Sequence, residues 1–274
     1  MRLADFVPPM RVAGVTGSET DAVVGALVRE LRERGRVAVV SADEATADGG
    51  TVVEEPVEAD SSYVLGAGGV RAVGPPRSLA AVLDELVPAH DYALVTGHPE
   101  SGLPHVVLGE VRFDGETLVA LDLDDPELED AVDAIEALEP RETLASLVAR
   151  AKESPDAKRA GALATFTGRV RERDGEDDDP TEYLEFETYE GVAEERMAAI
   201  EAQLEARDGV HEVVMHHKTG VVEAGEDIVF VVVLAGHREE AFATVSDGID
   251  RLKDEVPIFK KEVTVEGEFW AHER

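Results

Sequence analysis

Lysine is scarce in this chain, and its placement is the first sign of chemistry. Asp and Glu outnumber Lys and Arg by 60 to 26, and the lysines are Lys152, Lys158, Lys218, Lys253, Lys260 and Lys261. The last three lie close together around Pro257. A lysine can stabilise an oxyanion, pass protons or form a transient amide with a carboxylate. The cluster is therefore a candidate catalytic site; a solvated helix end followed by a charged strand edge is the plain alternative.

Other basic residues fall at the ends of predicted strands and helices. His237 and Arg238 lie between an apolar strand and a predicted helix, where free backbone N–H groups favour an anion. Lys253 is in the last turn of that helix, and Arg171 follows an earlier strand. Taken singly, Arg238 is an ordinary charge at a helix start, and Lys253 complements the helix dipole by about 0.3–1 kcal/mol. Together they suggest a pocket for a phosphorylated anion.

Apolar periodicity predicts the helices and strands that must position these residues. Predicted strands cover 161–168, 182–188, 210–217, 228–234 and 259–265, and predicted helices cover 144–151, 192–207 and 239–256. The run IVFVVVL at 228–234 is apolar throughout and is expected to be a buried central strand. This mixture of strands and helices indicates an α+β domain.

The same half of the chain resembles the large, catalytic subunit of molybdopterin synthase. The resemblance rests on motifs in the family's order: GALATFTGRVR (161–171), LEFETY (184–189), IVFV (228–231), AGHR (235–238) and LK…PIFKKE…GEFW between 252 and 270. It implies an α/β hammerhead-like fold with Lys253 and Lys260 as the catalytic lysines. It also implies that Arg171, His237 and Arg238 bind the substrate's phosphate and pterin. Arg274 matches an arginine that the neighbouring subunit of a dimer contributes.

Lys261 is also counted among the substrate-binding candidates, although strand alternation turns it away from Lys260, toward solvent or a partner. The implied reaction converts cyclic pyranopterin monophosphate to molybdopterin by installing two sulfurs as a dithiolene. Because the chain has no cysteine, it cannot carry sulfur as a persulfide. The resemblance supplies the donor, a ubiquitin-like small subunit with a C-terminal Gly-Gly thiocarboxylate. The implied assembly is a homodimer of this chain that forms a heterotetramer with the small subunit.

The N-terminal half predicts a parallel α/β sheet with helices on both faces. Predicted strands cover 11–15, 37–40, 62–65, 70–73, 92–95 and 106–111, and predicted helices cover 21–34 and 78–86. The first turn lies where a phosphate-binding loop would, yet Glu19, Thr20 and Asp21 replace its Gly-Lys-Thr. This half resembles the P-loop adaptor of molybdopterin-guanine dinucleotide biosynthesis. Because the active-loop residues are missing, the resemblance implies the fold and not an active NTPase.

The chain is accordingly divided into an adaptor-like domain at 1–122, an acidic linker helix at 123–138 and a synthase-like domain at 139–274. The linker helix has an alternative interpretation as the last helix of the first domain. Its apolar residues recur at helical spacing in an acidic stretch, and Pro140 marks the expected boundary.

Composition narrows the environment and the partners. A net charge of −34 disfavours binding to nucleic acid or to an anionic membrane. Such a surface suits concentrated salt, where the Debye length falls to about 3 Å at 1 M, so we expect a protein of a salt-loving organism. The N-terminus has no apolar signal core and no stretch is long enough to span a membrane, so a cytoplasmic location is expected.

No metal and no cofactor is expected. His216 and His217 are adjacent and point to opposite faces of a predicted strand, which makes them poor co-ligands, and His211 adds only one more imidazole. Besides the sulfur-transferring enzyme, two further functions remain open: a module that binds phosphorylated pterins or nucleotides, and a scaffold that docks partners. Formation of dithiolene product would separate the enzyme from both non-catalytic alternatives.

Overall fold

The computed structural model describes residues 9–42, 62–66, 69–123, 126–173, 175, 179–189, 191–264 and 267–271. The chain separates into two compact units, with the boundary between Thr143 and Leu144. Each unit has its own buried apolar core. The domain bounds and domain functions suggested by the sequence stay predictions.

The first unit is a parallel α/β sheet, as predicted. Its elements are β1 (Arg11–Gly17), α1 (Thr20–Arg32), β2 (Val37–Ser41), β3 (Ser62–Gly66), β4 (Gly69–Val73), α2 (Leu79–Leu86), β5 (Tyr92–Thr96), β6 (His105–Leu108), β7 (Thr117–Leu121) and α3 (Leu128–Glu136). The main sheet has the order β2-β5-β1-β6-β7 with parallel neighbours, while β3 and β4 form a separate hairpin. The strands β1 and β5 lie inside the sheet, where helices cover both faces. This burial explains why the two strands are apolar.

Helices cover both faces of this sheet. Leu27 of α1 and Ile135 of α3 belong to the apolar cluster on one face, and Leu83 of α2 belongs to the cluster on the other. The acidic helix predicted at 123–138 thus packs within the first unit as α3. Its buried side chains recur at helical spacing among the carboxylates, which point outward.

The second unit is an α+β domain. Its elements are α4 (Leu144–Lys152), β8 (Ala162–Arg169), β9 (Thr181–Thr188), α5 (Val192–Glu205), β10 (Val210–His217), β11 (Gly220–Glu223), β12 (Asp227–Ala235), α6 (Arg238–Glu255), β13 (Ile258–Thr264) and β14 (Gly267–Ala271). One antiparallel sheet has the order β10-β12-β8, and a second has the order β11-β9-β13-β14. The prediction that the 228–234 run forms a buried central strand is confirmed, because β12 lies between two partners.

Helix α6 lies close against the first of these sheets. Gly248 makes this approach possible, because an added Cβ would lie 3.1 Å from Val231 Cγ1 and 2.9 Å from Met215 Cε. The buried residues of α6 recur along one face and join the main apolar cluster with α5. The helix therefore delivers its last turn to a fixed place beside the strand ends.

Helix α5 also stabilises the exposed side of β10, which is an edge strand of its sheet. The backbone N–H of Val213 donates to Glu205 Oε1 at 2.9 Å, and that of Met215 donates to Glu201 Oε1 at 2.6 Å. Burial raises the pKa of Glu201, and the hydrogen bond from Met215 opposes that shift. Two carboxylates thus satisfy edge N–H groups that have no partner strand among the described residues. Among the described residues, no helix has both the length and the apolar character needed to cross a bilayer.

Candidate active site

A cavity of about 370 Å³ lies in the second unit, where the last turn of α6 meets both sheets. Its walls come from the ends of β8, β10 and β12, from the inner face of β9 and β13, and from α6. Its lining includes the buried apolar side chains of Leu184, Ile249 and Leu252. The cavity is large enough for a small organic ligand.

Three of the predicted site residues line this cavity together: Arg171, Lys253 and Lys260. Lys253 is exposed on the last turn of α6, and Lys260 is half-buried on β13. Arg171 is exposed just after β8. Val256 and Pro257 connect α6 to β13, and the proline turns the chain so that both lysines reach the same space. The arrangement can hold an anion and can stabilise negative charge that develops on a bound group.

Arg169 and Glu262 also line the cavity, although sequence reasoning did not single them out. Arg169 Nε lies 3.1 Å from Asp227 Oδ1, and an Arg169 Nη2 N–H donates to the Gly225 carbonyl. Glu262 Oε1 accepts a hydrogen bond from Thr181 Oγ1 at 2.5 Å. Strand alternation from Lys260 could have identified Glu262, because residues two apart on a strand share a face.

His217 is a third cavity residue that the sequence left without a role. Its Nδ1 lies 2.7 Å from the carbonyl oxygen of Lys218, and its ring meets the Phe186 ring edge-on with centroids 4.8 Å apart. The ring of His216, by contrast, stacks on the ring of Phe230, with the ring centroids 6.3 Å apart. The prediction that these neighbours point to opposite faces is thus confirmed. Among the described residues there is no group of three or more His, Asp or Glu that could hold a metal ion.

The other predicted site residues lie elsewhere. Lys261 is on the opposite face of β13 from Lys260, and its Nζ lies 3.6 Å from Glu185 Oε2. His237 and Arg238 are exposed at the start of α6. At about 1.5 Å of rise per residue, the fifteen residues from Arg238 to Lys253 span roughly 22 Å, so these two side chains cannot line the same cavity in one chain. Arg274 lies outside the described residues.

The glycine turn of the first unit has a local packing function. A Cβ on Gly14 would lie 2.2 Å from Nε2 of the buried His105, so a larger residue cannot be placed there. Glu19 precedes α1 in the left-handed region at φ 53°, and Asp21 follows in the first turn. These carboxylates lie at the helix start where a phosphate would bind, as the sequence predicts.

Comparison with known proteins assigns the family. The model of the MoaE protein family matches residues 136–255. The chain is also 49% identical to the probable molybdopterin synthase of Haloferax volcanii over 276 residues, which cover 97% of this chain and 100% of that relative. The chain belongs to the molybdopterin synthase family. Its place is therefore in molybdenum cofactor biosynthesis, and the non-catalytic alternative is not favoured.

Solved structures that are similar to this synthase-family chain each cover about half of it. Molybdopterin synthase from Staphylococcus aureus has 30% identity and a TM-score of 0.43, and covers 50% of this chain and 94% of its own. MobB from Bacillus subtilis has 16% identity and a TM-score of 0.35, and covers 47% of this chain and 96% of its own. The MoaE family match includes Lys253 and ends before Lys260.

Proposed function

We propose that the second unit is a sulfurtransferase that converts cyclic pyranopterin monophosphate to molybdopterin. The observation that carries this proposal is that Lys253, Lys260 and Arg171 line one cavity in a chain of this family. Ammonium and guanidinium groups bind phosphate and stabilise an oxyanion. Lys260 acts at the sulfur-donating group, Lys253 stabilises the substrate or intermediate, and Arg171 holds the phosphate.

The sulfur comes from a second protein. The chain has no cysteine, so it has no thiol on which to hold a persulfide. A small carrier whose C-terminal glycines end in a thiocarboxylate meets the requirement, since an extended tail of small residues can enter a cavity that is open to solvent. We infer that this tail enters beside Lys260, which lies on a strand at the cavity and is half-buried.

A homodimer would bring the remaining predicted residues into use. His237 and Arg238 lie roughly 22 Å along α6 from Lys253, so they can reach a cavity of this kind only on another copy. Phe242, one turn further along α6, is 65% exposed and is therefore accessible to a second copy of the chain. We propose that a second copy contributes His237, Arg238 and Arg274, and that Lys261 binds at the rim.

The decisive experiment is a product assay with defined components. The protein is mixed with cyclic pyranopterin monophosphate and a thiocarboxylated small subunit, and dithiolene product is measured. We expect Lys260→Ala to lower product formation at least about 100-fold, because a charge-stabilising donor of this kind is worth that much or more. Lys253→Ala should also lower it strongly, with unfolding midpoints unchanged for both variants since both side chains reach solvent.

Lys158→Ala is the matched control. Lys158 is exposed and is not among the cavity residues, so its removal should leave product formation as in the wild type. Wild-type turnover in Lys260→Ala would contradict the catalytic assignment. Complete absence of product with the wild-type protein would contradict the proposed function itself.

The first unit is proposed not to be an active NTPase, because Glu19 and Asp21 occupy its helix start and the half contains no lysine. The same assay tests this inference: product should form equally well with and without ATP or GTP. A requirement for either nucleotide, with phosphate released in proportion to product, would contradict it.

A further inference from the structure

We propose that His217 is the group that activates water to release the spent small subunit from the sulfurated substrate. This inference rests on the proposed function and adds a residue and a step to it. His217 is the imidazole of the described cavity wall, and imidazole is the side chain that ordinarily exchanges protons near neutral pH.

The surroundings of His217 fix which ring nitrogen can accept a proton. A carbonyl oxygen only accepts hydrogen bonds, so the 2.7 Å contact with the Lys218 carbonyl places the proton of the neutral ring on Nδ1. Nε2 then carries the lone pair. The edge-on contact with Phe186 holds the ring plane at 74° to the phenyl ring. The ring is therefore oriented by its neighbours, as a proton-accepting group in a catalytic site must be.

Phe186 also connects His217 with Lys260. Lys260 of β13 pairs directly with Phe186 of β9, and both residues line the cavity, so their side chains are cross-strand neighbours on one face. The imidazole that contacts the Phe186 ring is thus next to the side chain beside Lys260. A group bound at Lys260 and a water held by His217 would occupy adjacent parts of the same cavity.

The chemistry of the proposed reaction requires such a water. The small subunit starts as a thiocarboxylate and ends as a carboxylate, so one oxygen of its terminal group must come from water. Once its sulfur has bonded to the substrate carbon, the terminal acyl carbon is joined to the substrate through that sulfur. This bond is a thioester, and its hydrolysis needs neither an oxidant nor a reductant.

In the step itself, the water oxygen bonds to the acyl carbon while His217 Nε2 takes one water proton. The carbon–sulfur bond then breaks, and the sulfur keeps the bonding pair and remains on the substrate as a thiolate. The new carboxylic acid loses its proton to solvent as a carboxylate, and His217 returns its own proton to solvent or to the thiolate. Lys260 stabilises the oxyanion that forms on the acyl carbon before the bond breaks.

Other charged groups face the same space and must be considered in any pH profile. They are Arg169 and Arg171 at the end of β8, Lys253 on α6, and Lys260 and Glu262 on β13. His216 and Lys218 are the chain neighbours of His217. Since imidazole ordinarily titrates between pH 5 and 8, a limb of kcat/KM in that interval is assigned to His217 and is tested by its removal.

The test compares His217→Gln and His217→Asn with the wild type, using cyclic pyranopterin monophosphate and the thiocarboxylated small subunit. Glutamine keeps a polar atom near Nε2, and asparagine keeps a donor for the Lys218 carbonyl, yet neither can take a proton. We expect both variants to lose about 100- to 10,000-fold in product release. The acid limb of kcat/KM should disappear, and intact mass spectrometry should show the small subunit joined to the substrate.

His211→Gln is the control, because His211 lies on the same strand and is not among the cavity residues. It should keep the wild-type rate and pH profile. A wild-type acid limb in both His217 variants, with no accumulated thioester, would overturn the inference while leaving the proposed function intact. No product from the wild type would overturn both. The unfolding midpoints of both variants are also measured. A midpoint lowered in one variant indicates a folding defect in that variant, whereas lost activity in both variants with unchanged midpoints indicates the loss of proton transfer.

Discussion

His216 and His217 are adjacent on β10 and have opposite surroundings. His217 faces the cavity, whereas His216 packs against Phe230. Burial, and to a lesser extent the neighbouring His217, Arg150 and Lys218, together lower the pKa of His216 to about 4. The folded chain therefore keeps His216 neutral at pH values where the unfolded chain would protonate it.

This difference predicts a loss of stability in mild acid. The contribution of His216 is present above its unfolded pKa of about 6.5 and is lost as pH falls toward about 4, because protons then bind the unfolded chain more tightly. At about 1.36 kcal/mol per pKa unit, the loss in the free energy of unfolding reaches roughly 3 kcal/mol. His216→Leu should remove this part of the slope in urea unfolding measured between pH 7 and pH 4.5.

His211→Leu serves for comparison, since His211 is half-buried on the same strand. That variant should retain the wild-type slope. If His216→Leu loses as much stability in acid as the wild type does, the neutral buried imidazole is not the cause.

The sequence identified the lysines and Arg171 because they belong to motifs that follow one another along the chain in the family's order. The sequence could not predict which of His216 and His217 faces the cavity, because that depends on which face of the β10 sheet meets β9. It also gave Arg238 and Lys253 as parts of one pocket. The two ends of one long helix cannot converge in a single chain, and this is evident only once α6 is seen to be continuous.

Helix α6 joins two regions with proposed functions through a tightly packed middle. Gly248 lies between the His237–Arg238 end and Lys253, at the place where the helix approaches Val231 and Met215. A change there affects stability and also the position of the last turn, where Lys253 faces the cavity.

Gly248→Val should therefore destabilise the second unit by about 1–3 kcal/mol, the usual cost of overpacking, and should also lower product formation. Gly25→Ala on α1 is the matched helical control. No heavy atom lies within 4 Å of a Cβ added at Gly25, so alanine there should stabilise by about 0.5–1 kcal/mol. Both changes are measured by chemical unfolding, and a stable, fully active Gly248→Val would contradict the packing account.

Most helices and strands followed from periodicity, with errors where the pattern is short or weak. Strand β6 ends at Leu108, earlier than the predicted 106–111 run, because Gly109 adopts a positive φ of 71° and turns the chain. Strand β7 was not predicted, since its half-exposed edge position leaves only a brief apolar run. The hammerhead-like arrangement of the second unit stays a prediction.

For the whole molecule, the proposed dimer makes each site depend on two copies. A chain with Lys260→Ala and a chain with Arg238→Ala would each be impaired alone. In a mixed dimer, one site combines the intact Lys260 of one copy with the intact Arg238 of the other. Co-expressed chains should recover about a quarter of wild-type product formation, since half of the dimers are mixed and each has one intact site.

Mixing two batches of the same variant provides the control, because no intact site can arise from it. Failure of the two different variants to complement each other, when light scattering shows mixed dimers, would contradict a shared site. It would leave the roles of Lys253 and Lys260 within one chain unaffected.

The carboxylates of Glu201 and Glu205 on α5, which accept hydrogen bonds from the edge of β10, affect how the protein resists aggregation. A net charge of −34 keeps chains apart in dilute buffer, but salt at about 1 M confines that repulsion to about 3 Å. An edge strand with open N–H groups would then be free to recruit another chain into a growing ribbon. Because these carboxylates already occupy the N–H groups of Val213 and Met215, protection against such growth along this strand does not depend on ionic strength.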